Sequence, residues 1–361
     1  MSNVPAKRHH HVPQFYLRGF ADGEQITTVR LPGDRRYTNS VRKTAAENGF
    51  YAVPGHEEGS DVFEKILGGA EGEAAEVFAK VEAGVWPLAL DDRATLASFI
   101  ALQVARGPEQ RRNMQHLQAQ VARLEVGAVG KAGVKRWAKR KLGMDLDDAA
   151  AELVWEQATR PEGPPLKVSA LAHIRQIGEM VNGLLPYIAG RPWSLVRFDK
   201  RALITSDTPV ALVRHAEDDD IDSEGFTGSR GVGFMTAWGI TYPLTRKLGL
   251  IMSDPMVFAD KVGVERVARG EMDKAQRGTT QMEKFINYST IANASLSLFH
   301  HPEDGRFVPD ELPEPDPVTV RMEGGPDEFS GEPWFRTRSD DGEATGGAEP
   351  HGDARMRRER F

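Results

Sequence analysis

Hydrophobic positions change their spacing twice along this chain, at about residue 60 and again at about residue 190. Before the first point and after the second, short apolar runs end at Pro-Gly or polar turns, as is typical of strands. Between the two points, apolar residues recur at helical spacing, interrupted by capping and helix-breaking residues. Helices that cluster in this way, without alternating one by one with strands, predict an α+β fold with a mixed or mainly antiparallel sheet.

Local start and stop signals set the bounds of the expected elements. Asp61 and Asp92 precede periodic segments as capping residues, and Gly107-Pro108 ends the second of these segments. The predicted helices lie at about 62–67, 73–83, 92–106, 109–126, 147–159, 168–188 and 271–299. The predicted strands lie at about 25–31, 50–53, 193–198, 202–205, 210–213, 240–244 and 248–252.

Length and charge divide the chain into a body and a tail. The 361 residues suffice for about two domains or one large one. Residues 302–361 carry 16 acidic and 8 basic side chains, a net of −8 against −7 for the whole chain. Because this segment is also rich in Pro and Gly, we expect it to be a largely disordered acidic tail. Residues 8–301 are expected to form a single α+β domain, with a helical part at about 61–189, strand-rich parts at about 8–55 and 193–252, and a final helix.

Composition excludes several classes of protein. The chain has no cysteine, which rules out disulfides, thiolate zinc sites and a cysteine nucleophile. No apolar run approaches the roughly 18 residues of a membrane-spanning helix, and the first residues lack a secretory signal. We therefore expect a cytoplasmic protein that does not span a membrane.

A basic stretch interrupts the helical middle. Between Arg93 and Gly143 there are 11 basic and two acidic residues, and six of the eleven residues of Lys131–Lys141 are basic. On a helix this stretch would offer nucleic acid a cationic surface with one aromatic side chain, Trp137. The expected contacts are Lys135, Arg136, Lys139 and Arg140. The alternative is a solvated helix face that Trp137 anchors to the core.

Three consecutive histidines, His9, His10 and His11, form the most unusual stretch of the sequence. In an extended segment, His9 and His11 point to the same side. Together with one carboxylate they would suit iron, manganese or zinc, and either ring is a candidate general base near neutral pH. The alternative is that the imidazoles hydrogen-bond to backbone groups while the following Phe15, Tyr16 and Leu17 pack.

A second group of candidate residues ends an apolar run at residues 203–210. Asp207 follows Thr205 and Ser206 at the end of a predicted strand, where a carboxylate is well placed to enter a cleft. Ser206 would be a nucleophile only beside a base, and no nucleophile-elbow pattern surrounds it. The alternative is a turn in which Ser206 and Asp207 accept hydrogen bonds from local backbone donors.

The helix predicted at 92–106 carries polar residues on its apolar face. Gln103 and Arg106 lie there beside Phe99, and a buried guanidinium needs a partner. Either these side chains contact a buried carboxylate such as Asp207, or they line a binding site that Arg111 would join. A buried structural ion pair is the plainer alternative.

Several motifs together resemble the bacterial domain-of-unknown-function 4238 family, which has an HHxVPxxYLxxF start, an R-T-P-x-x-R helix end and a T-S-D-N-P-V strand. The matching segments are HHHVPQFYLRGF at 9–20, ENGFYAV at 47–53, RGPEQR at 106–111, ITSDTPV at 204–210 and YPLT at 242–245. Gly107 stands where the family has threonine, and Thr208 where it has asparagine. The resemblance spans about residues 8–301 and implies one fold and the positions of these motifs, but no reaction.

Together these patterns lead to three hypotheses about function. The first is phosphoester hydrolysis, with nucleic acid as a candidate substrate, in which a histidine or a divalent metal activates water and arginines hold phosphate. The second is binding of an anionic ligand or nucleic acid without turnover. The third is a partner-binding protein whose polar cluster is structural.

The first hypothesis assigns a role to each candidate residue. The catalytic residues would be His9, His11, Ser206 and Asp207. The metal ligands would be His9, His11 and Asp207. The substrate-binding residues would be Gln14, Tyr16, Arg18, Gln103, Arg106, Arg111 and Thr205.

Overall fold

The computed structural model describes residues 8–53, 55, 57–214, 232–320 and 328–333. Within these residues, helices cluster in the middle of the chain and strands lie on both sides of them, so the predicted α+β class is confirmed. Among the described residues, no helix combines the length and apolar character that a membrane crossing requires.

Nine helices form in the part of the chain that the structure describes, and several begin at a side-chain cap. The Asp147 carboxylate accepts the Ala150 N–H, and the Ser169 hydroxyl accepts the Ala172 N–H. The helices are α1 (Gln14–Arg18), α2 (Val62–Glu82), α3 (Leu90–Ala105), α4 (Pro108–Val129), α5 (Val134–Leu142), α6 (Asp148–Ala158), α7 (Ala170–Ala189), α8 (Val264–Ala268) and α9 (Thr280–Asn293).

Eleven strands of the described chain form three sheets. The strands are β1 (Arg8–His10), β2 (Gln25–Arg30), β3 (Arg35–Ser40), β4 (Ala46–Asn48), β5 (Trp193–Arg197), β6 (Thr205–Ser206), β7 (Ala211–Val213), β8 (Gly239–Thr245), β9 (Leu248–Ser253), β10 (Lys274–Arg277) and β11 (Ser297–His300). A two-stranded sheet pairs β1 with β4, a five-stranded sheet has the order β10-β5-β9-β8-β7, and a four-stranded sheet has the order β3-β2-β11-β6. Only the β10–β5 pair is parallel among these strands.

Three local predictions were wrong. The strand expected at 50–53 lies earlier, at β4, because Gly49 has a φ of 65° and turns the chain. The strand expected at 202–205 is the two-residue β6, which pairs with β11 rather than with β5. The helix expected at 271–299 is β10, α9 and β11, because the Thr279 hydroxyl caps α9 at the Met282 N–H and the chain extends again at Ala294.

The described residues fall into two compact units. The first lies within Met1–Val121 and Glu162–Gly325, and the second within Ala122–Pro161 and Pro326–Phe361. The single domain expected over 8–301 stays a prediction. Residues 302–320, which the sequence assigned to the tail, are described as part of the first unit, and Val308 is buried there.

Each unit has its own core. In the first, buried side chains of α2, α3 and the five-stranded sheet form the largest cluster, with Ile100, Trp193 and Leu250 fully buried. Arg93 of α3 is buried beside this cluster, and its guanidinium donates to both oxygens of Asp273 at 2.7 and 3.3 Å. In the second unit, side chains from the end of α4, from α5 and from α6 pack together, among them Val126, Val134, Trp137 and Trp155.

Candidate functional site

One face of the four-stranded sheet forms the floor of a cavity of about 260 Å³, here called the sheet cavity. Side chains two residues apart on a strand point to the same face, and directly paired residues share it. By register, Thr28 of β2 lies between Tyr37 of β3 and Phe299 of β11, and Arg30 lies beside Ser297. Residues from other elements complete the lining: His11, Lys43, Glu47, Pro108, Arg112 and Asp207.

Two arginines of the sheet cavity are held by uncharged groups. The Arg30 guanidinium donates to the Ser297 hydroxyl at 2.8 Å. Arg112 donates to the Ser295 hydroxyl at 3.2 Å and to the Pro317 carbonyl oxygen at 2.9 Å. Among the described residues, neither guanidinium forms an ion pair with a carboxylate.

A segment near the end of the described chain supports the Arg112 wall. The Asp316 N–H donates to the Ser295 carbonyl oxygen at 3.0 Å. The next residue, Pro317, has the carbonyl oxygen that accepts the Arg112 guanidinium. Three residues further on, the Thr319 N–H donates to the Asn113 side-chain oxygen at 2.9 Å. The segment 316–319 therefore joins α4 to the turn before β11.

His11 enters the sheet cavity just after β1 ends. Its backbone N–H donates to the Ala45 carbonyl oxygen at 3.0 Å, which fixes the start of the bend. Its Nδ1 is buried and has no hydrogen-bond partner among the described residues. Burial, with smaller contributions from Arg106 and Arg112, lowers the pKa of His11 to about 3, so the ring is neutral at pH 7.

Asp207 reaches the same cavity from the end of β6. One carboxylate oxygen accepts the Ser295 N–H at 3.0 Å, and the other accepts the Leu296 N–H at 2.9 Å. Burial raises the pKa of Asp207 to about 6, and these hydrogen bonds offset part of that increase. The carboxylate thus fixes the turn that presents Ser295 and Ser297 to the two arginines.

His9 lies in a different environment from His11. Its ring stacks on Tyr51, with centroids 5.9 Å apart, and its Nδ1 accepts the Tyr51 N–H at 2.8 Å. Tyr51 also stacks on His173, with centroids 6.3 Å apart, and we call these three rings the stacked cluster. Within the described residues, no group of three or more histidines and carboxylates is arranged to hold a metal ion. The metal site expected from His9, His11 and Asp207 is therefore not assembled.

Arg106 has a different partner from the one expected. Its guanidinium donates to Glu71 at 2.7 Å and to the His10 carbonyl oxygen at 2.8 Å, whereas Asp207 accepts backbone N–H groups. The Arg106 carbonyl oxygen in turn accepts the Tyr51 hydroxyl at 2.7 Å. This is the buried structural ion pair that the sequence left open, and it lies beside the stacked cluster.

The remaining predicted substrate-binding residues do not line the sheet cavity. Arg18 is exposed and pairs with Glu24 at 2.7 Å, and it also donates to Gln14 at 3.5 Å. The Tyr16 hydroxyl is buried between the Thr205 hydroxyl and the Pro243 carbonyl oxygen, at 2.7 Å from each.

Two further predicted residues lie apart from the cavity. Gln103 is buried, and its amide has no hydrogen-bond partner among the described residues. Arg111 donates to the Phe50 carbonyl oxygen at 3.1 Å, with its guanidinium 4.8 Å from the centre of the Phe50 ring.

Of the residues that line the cavity, sequence reasoning had named His11 and Asp207 as site residues, and it missed the three basic side chains Arg30, Lys43 and Arg112 as well as Tyr37. A signal for Arg30 was present, because residues 28 and 30 of a strand share one face, and both are polar here. Arg112 directly follows the motif residue Arg111, and no local pattern distinguishes which of the two enters a site.

The basic stretch of the second unit is largely balanced within that unit. Lys135 pairs with Asp148 at 2.6 Å, and Lys139 pairs with Asp145 at 2.7 Å. Residues 122–161 contain eight basic and six acidic side chains, so the net positive charge of this segment is small. Arg136 and Arg140 are exposed. Contact with nucleic acid through this stretch stays a prediction.

The molecule is thus an α+β protein with a cavity on an antiparallel sheet, lined by three basic side chains, Arg30, Lys43 and Arg112, and two carboxylates, Glu47 and Asp207. Residues 8–304 match the family model described as "Protein of unknown function (DUF4238)". The chain belongs to this family, as its motifs indicated. No curated protein and no solved structure matches it.

Proposed function

We propose that this protein binds a small phosphate-bearing anion in the sheet cavity. The observation that carries the proposal is the pair Arg30 and Arg112, two guanidinium groups at one cavity whose hydrogen bonds go to uncharged acceptors and not to Glu47 or Asp207, the two carboxylates of the lining. Lys43 adds a third positive charge to the lining. Guanidinium groups match phosphate oxygens in geometry, and hydrogen bonds between charged groups are about twice as strong as neutral ones.

Preorganisation supports the proposal. Hydroxyl and carbonyl acceptors hold Arg30 and Arg112 in place without cancelling their charge. Both oxygens of the Asp207 carboxylate accept backbone N–H groups of the turn that carries the Ser295 and Ser297 hydroxyls. A ligand would therefore meet cations whose side-chain entropy is already reduced, which favours binding.

Binding without turnover suits these side chains better than hydrolysis. A general base works best with a pKa near the working pH, and His11, with a pKa of about 3, is a weak base. The Ser206 hydroxyl is fully buried and accepts the Thr208 N–H at 3.2 Å. Of the four residues expected to be catalytic, His11 and Asp207 line the cavity and shape it in this proposal.

Calorimetric titration with inorganic phosphate and with ribose phosphate tests the proposal. Arg112→Ala removes a charged donor, so we expect at least a tenfold loss of affinity, from about 1.5–3 kcal/mol per charged hydrogen bond. Arg18→Ala is the matched control, because it removes the same charge from an exposed pair. Thermal denaturation checks that both variants fold.

Two results would overturn this proposal. One is that neither phosphate compound binds the wild-type protein at millimolar concentration. The other is that Arg112→Ala and Arg18→Ala lower the affinity equally, which would indicate attraction by net charge alone. Release of inorganic phosphate from ribose phosphate would replace the proposal with the hydrolase hypothesis.

A further inference from the structure

An aromatic ring without a partner stands at the rim of the sheet cavity. Tyr37 lines the cavity on β3, at the edge of the four-stranded sheet, and is 44% exposed. Among the described residues, its side chain forms no ring contact and no hydrogen bond. Its register partner on β2 is Thr28, two residues from Arg30, so ring and guanidinium share one sheet face.

A polar group suited to a heterocycle lies two residues from this ring. Asn39 follows on the same face of β3 and also lines the cavity. Its side-chain oxygen accepts the Ser40 N–H at 2.9 Å, which leaves the amide NH₂ as a donor toward the cavity. The paired strands β2 and β3 thus bring together an exposed aromatic face, an amide donor and Arg30, and Arg112 of α4 lines the same cavity.

We propose that the ligand of this site is a mononucleotide, with its base stacked on Tyr37 and its phosphate on Arg30 and Arg112. This inference rests on the proposed function and names its ligand class. Aromatic side chains on sheet faces stack nucleobases, and every base offers a π-face for this contact. A cavity of about 260 Å³ is smaller than the ~300–1,000 Å³ of typical ligand sites, which suits one nucleotide rather than a dinucleotide.

Titration with adenosine monophosphate, ribose phosphate and inorganic phosphate tests the inference on the full-length protein. We expect wild-type protein to bind the nucleotide about tenfold more tightly than ribose phosphate, which lacks the base. Tyr37→Ala should abolish this difference, because it should weaken binding of the nucleotide far more than binding of ribose phosphate. Tyr37→Phe should preserve the difference, since the ring remains. Arg112→Ala should weaken binding of all three compounds.

The possible failures are distinguishable. Equal affinities for nucleotide and ribose phosphate would overturn the mononucleotide inference and leave phosphate binding intact. A preference for the nucleotide that persists in Tyr37→Ala would place the base elsewhere and also overturn it. Tyr37-dependent binding of a single-stranded oligonucleotide, tighter than that of the mononucleotide, would replace the inference with nucleic-acid recognition. Binding of none of these compounds would remove the proposed function itself.

Discussion

The stacked cluster and the sheet cavity contain the same kinds of side chain, but the arginines of the two regions have different kinds of partner. Beside the stacked cluster, Arg106 pairs with the Glu71 carboxylate, and Tyr51 stacks on two imidazole rings. In the sheet cavity, Arg30 and Arg112 donate to hydroxyls and a carbonyl oxygen. A buried ion pair is costly to break, because the remaining group is left unpaired, whereas a guanidinium held by uncharged acceptors remains available to an anionic ligand.

Of the substitutions that test this contrast, we expect Arg106→Met to cause the largest loss of stability. We expect it to lower the free energy of unfolding by about 3–5 kcal/mol, because it leaves Glu71 and the His10 carbonyl oxygen without their donor. Urea denaturation measures the change. Arg18→Met, on an exposed ion pair, should cost at most about 1 kcal/mol. Similar losses for both variants would contradict a structural role for Arg106.

A second prediction compares two histidines from one motif. His9→Ala should cost about 2 kcal/mol, because the variant loses the stack on Tyr51 and leaves a buried N–H without its acceptor. His11→Ala should cost less than about 1 kcal/mol, because its Nδ1 has no hydrogen bond to lose among the described residues. Chemical denaturation of the two variants in parallel measures both losses of stability. A larger loss for His11→Ala than for His9→Ala would contradict the structural role given to His9.

Asp207→Asn tests how the cavity wall is held. The substitution should destabilise the protein by about 1–2 kcal/mol, because one amide oxygen cannot accept both the Ser295 and Leu296 N–H groups. We also expect weaker ligand binding, since the turn presents both serine hydroxyls. Unfolding and calorimetric titration measure the two effects. Unchanged stability would show that the carboxylate does not fix this turn.

A further prediction is a dependence of stability on pH. Burial lowers the pKa of His11 to about 3 and that of His173 to about 4, from 6.5. The unfolded chain then binds more protons between pH 6.5 and these values, so stability falls as the pH falls through this window. Asp207 has the opposite effect on stability between pH 6 and 3.8: because its pKa is raised, the folded chain binds more protons there, and stability rises as the pH falls.

Burial lowers the pKa of four histidines, His10, His11, His173 and His300, and raises that of two carboxylates, Asp207 and Glu109, so we expect the melting temperature to decrease between pH 7 and pH 4. His173→Asn should flatten this decrease, because it removes one of the groups that resist protonation. Differential scanning calorimetry across this range provides the measurement. A melting temperature that rises on acidification would show that carboxylates dominate instead.

Local signals predicted much of the fold but little of the site. The strands predicted at 240–244 and 248–252 and the helix predicted at 147–159 depend on neighbouring residues, and they form as β8, β9 and α6. In contrast, β11 depends on pairing with β2, about 270 residues earlier in the chain, and the helical pattern around it was misleading. The alternation that placed His9 and His11 on one side failed because β1 ends at His10 and the chain then bends.

The site depended on partners that are distant in sequence. Asp207 was correctly expected at the end of a strand, and it does line the same cavity as His11. Whether an arginine is neutralised is decided elsewhere in the chain: Arg106 pairs with Glu71, whereas Arg112 contacts residues 295 and 317. One sequence without its fold does not give these pairings.

The segment 316–319 has a practical consequence for anyone who shortens this protein. The family match ends at residue 304, so a chain trimmed to that boundary would keep every recognised motif. It would nevertheless lose the Pro317 carbonyl oxygen that holds Arg112 and the Asp316 N–H that braces Ser295. Such a trimmed protein would retain its motif residues, but Arg112 would lose one of the two acceptors that position it.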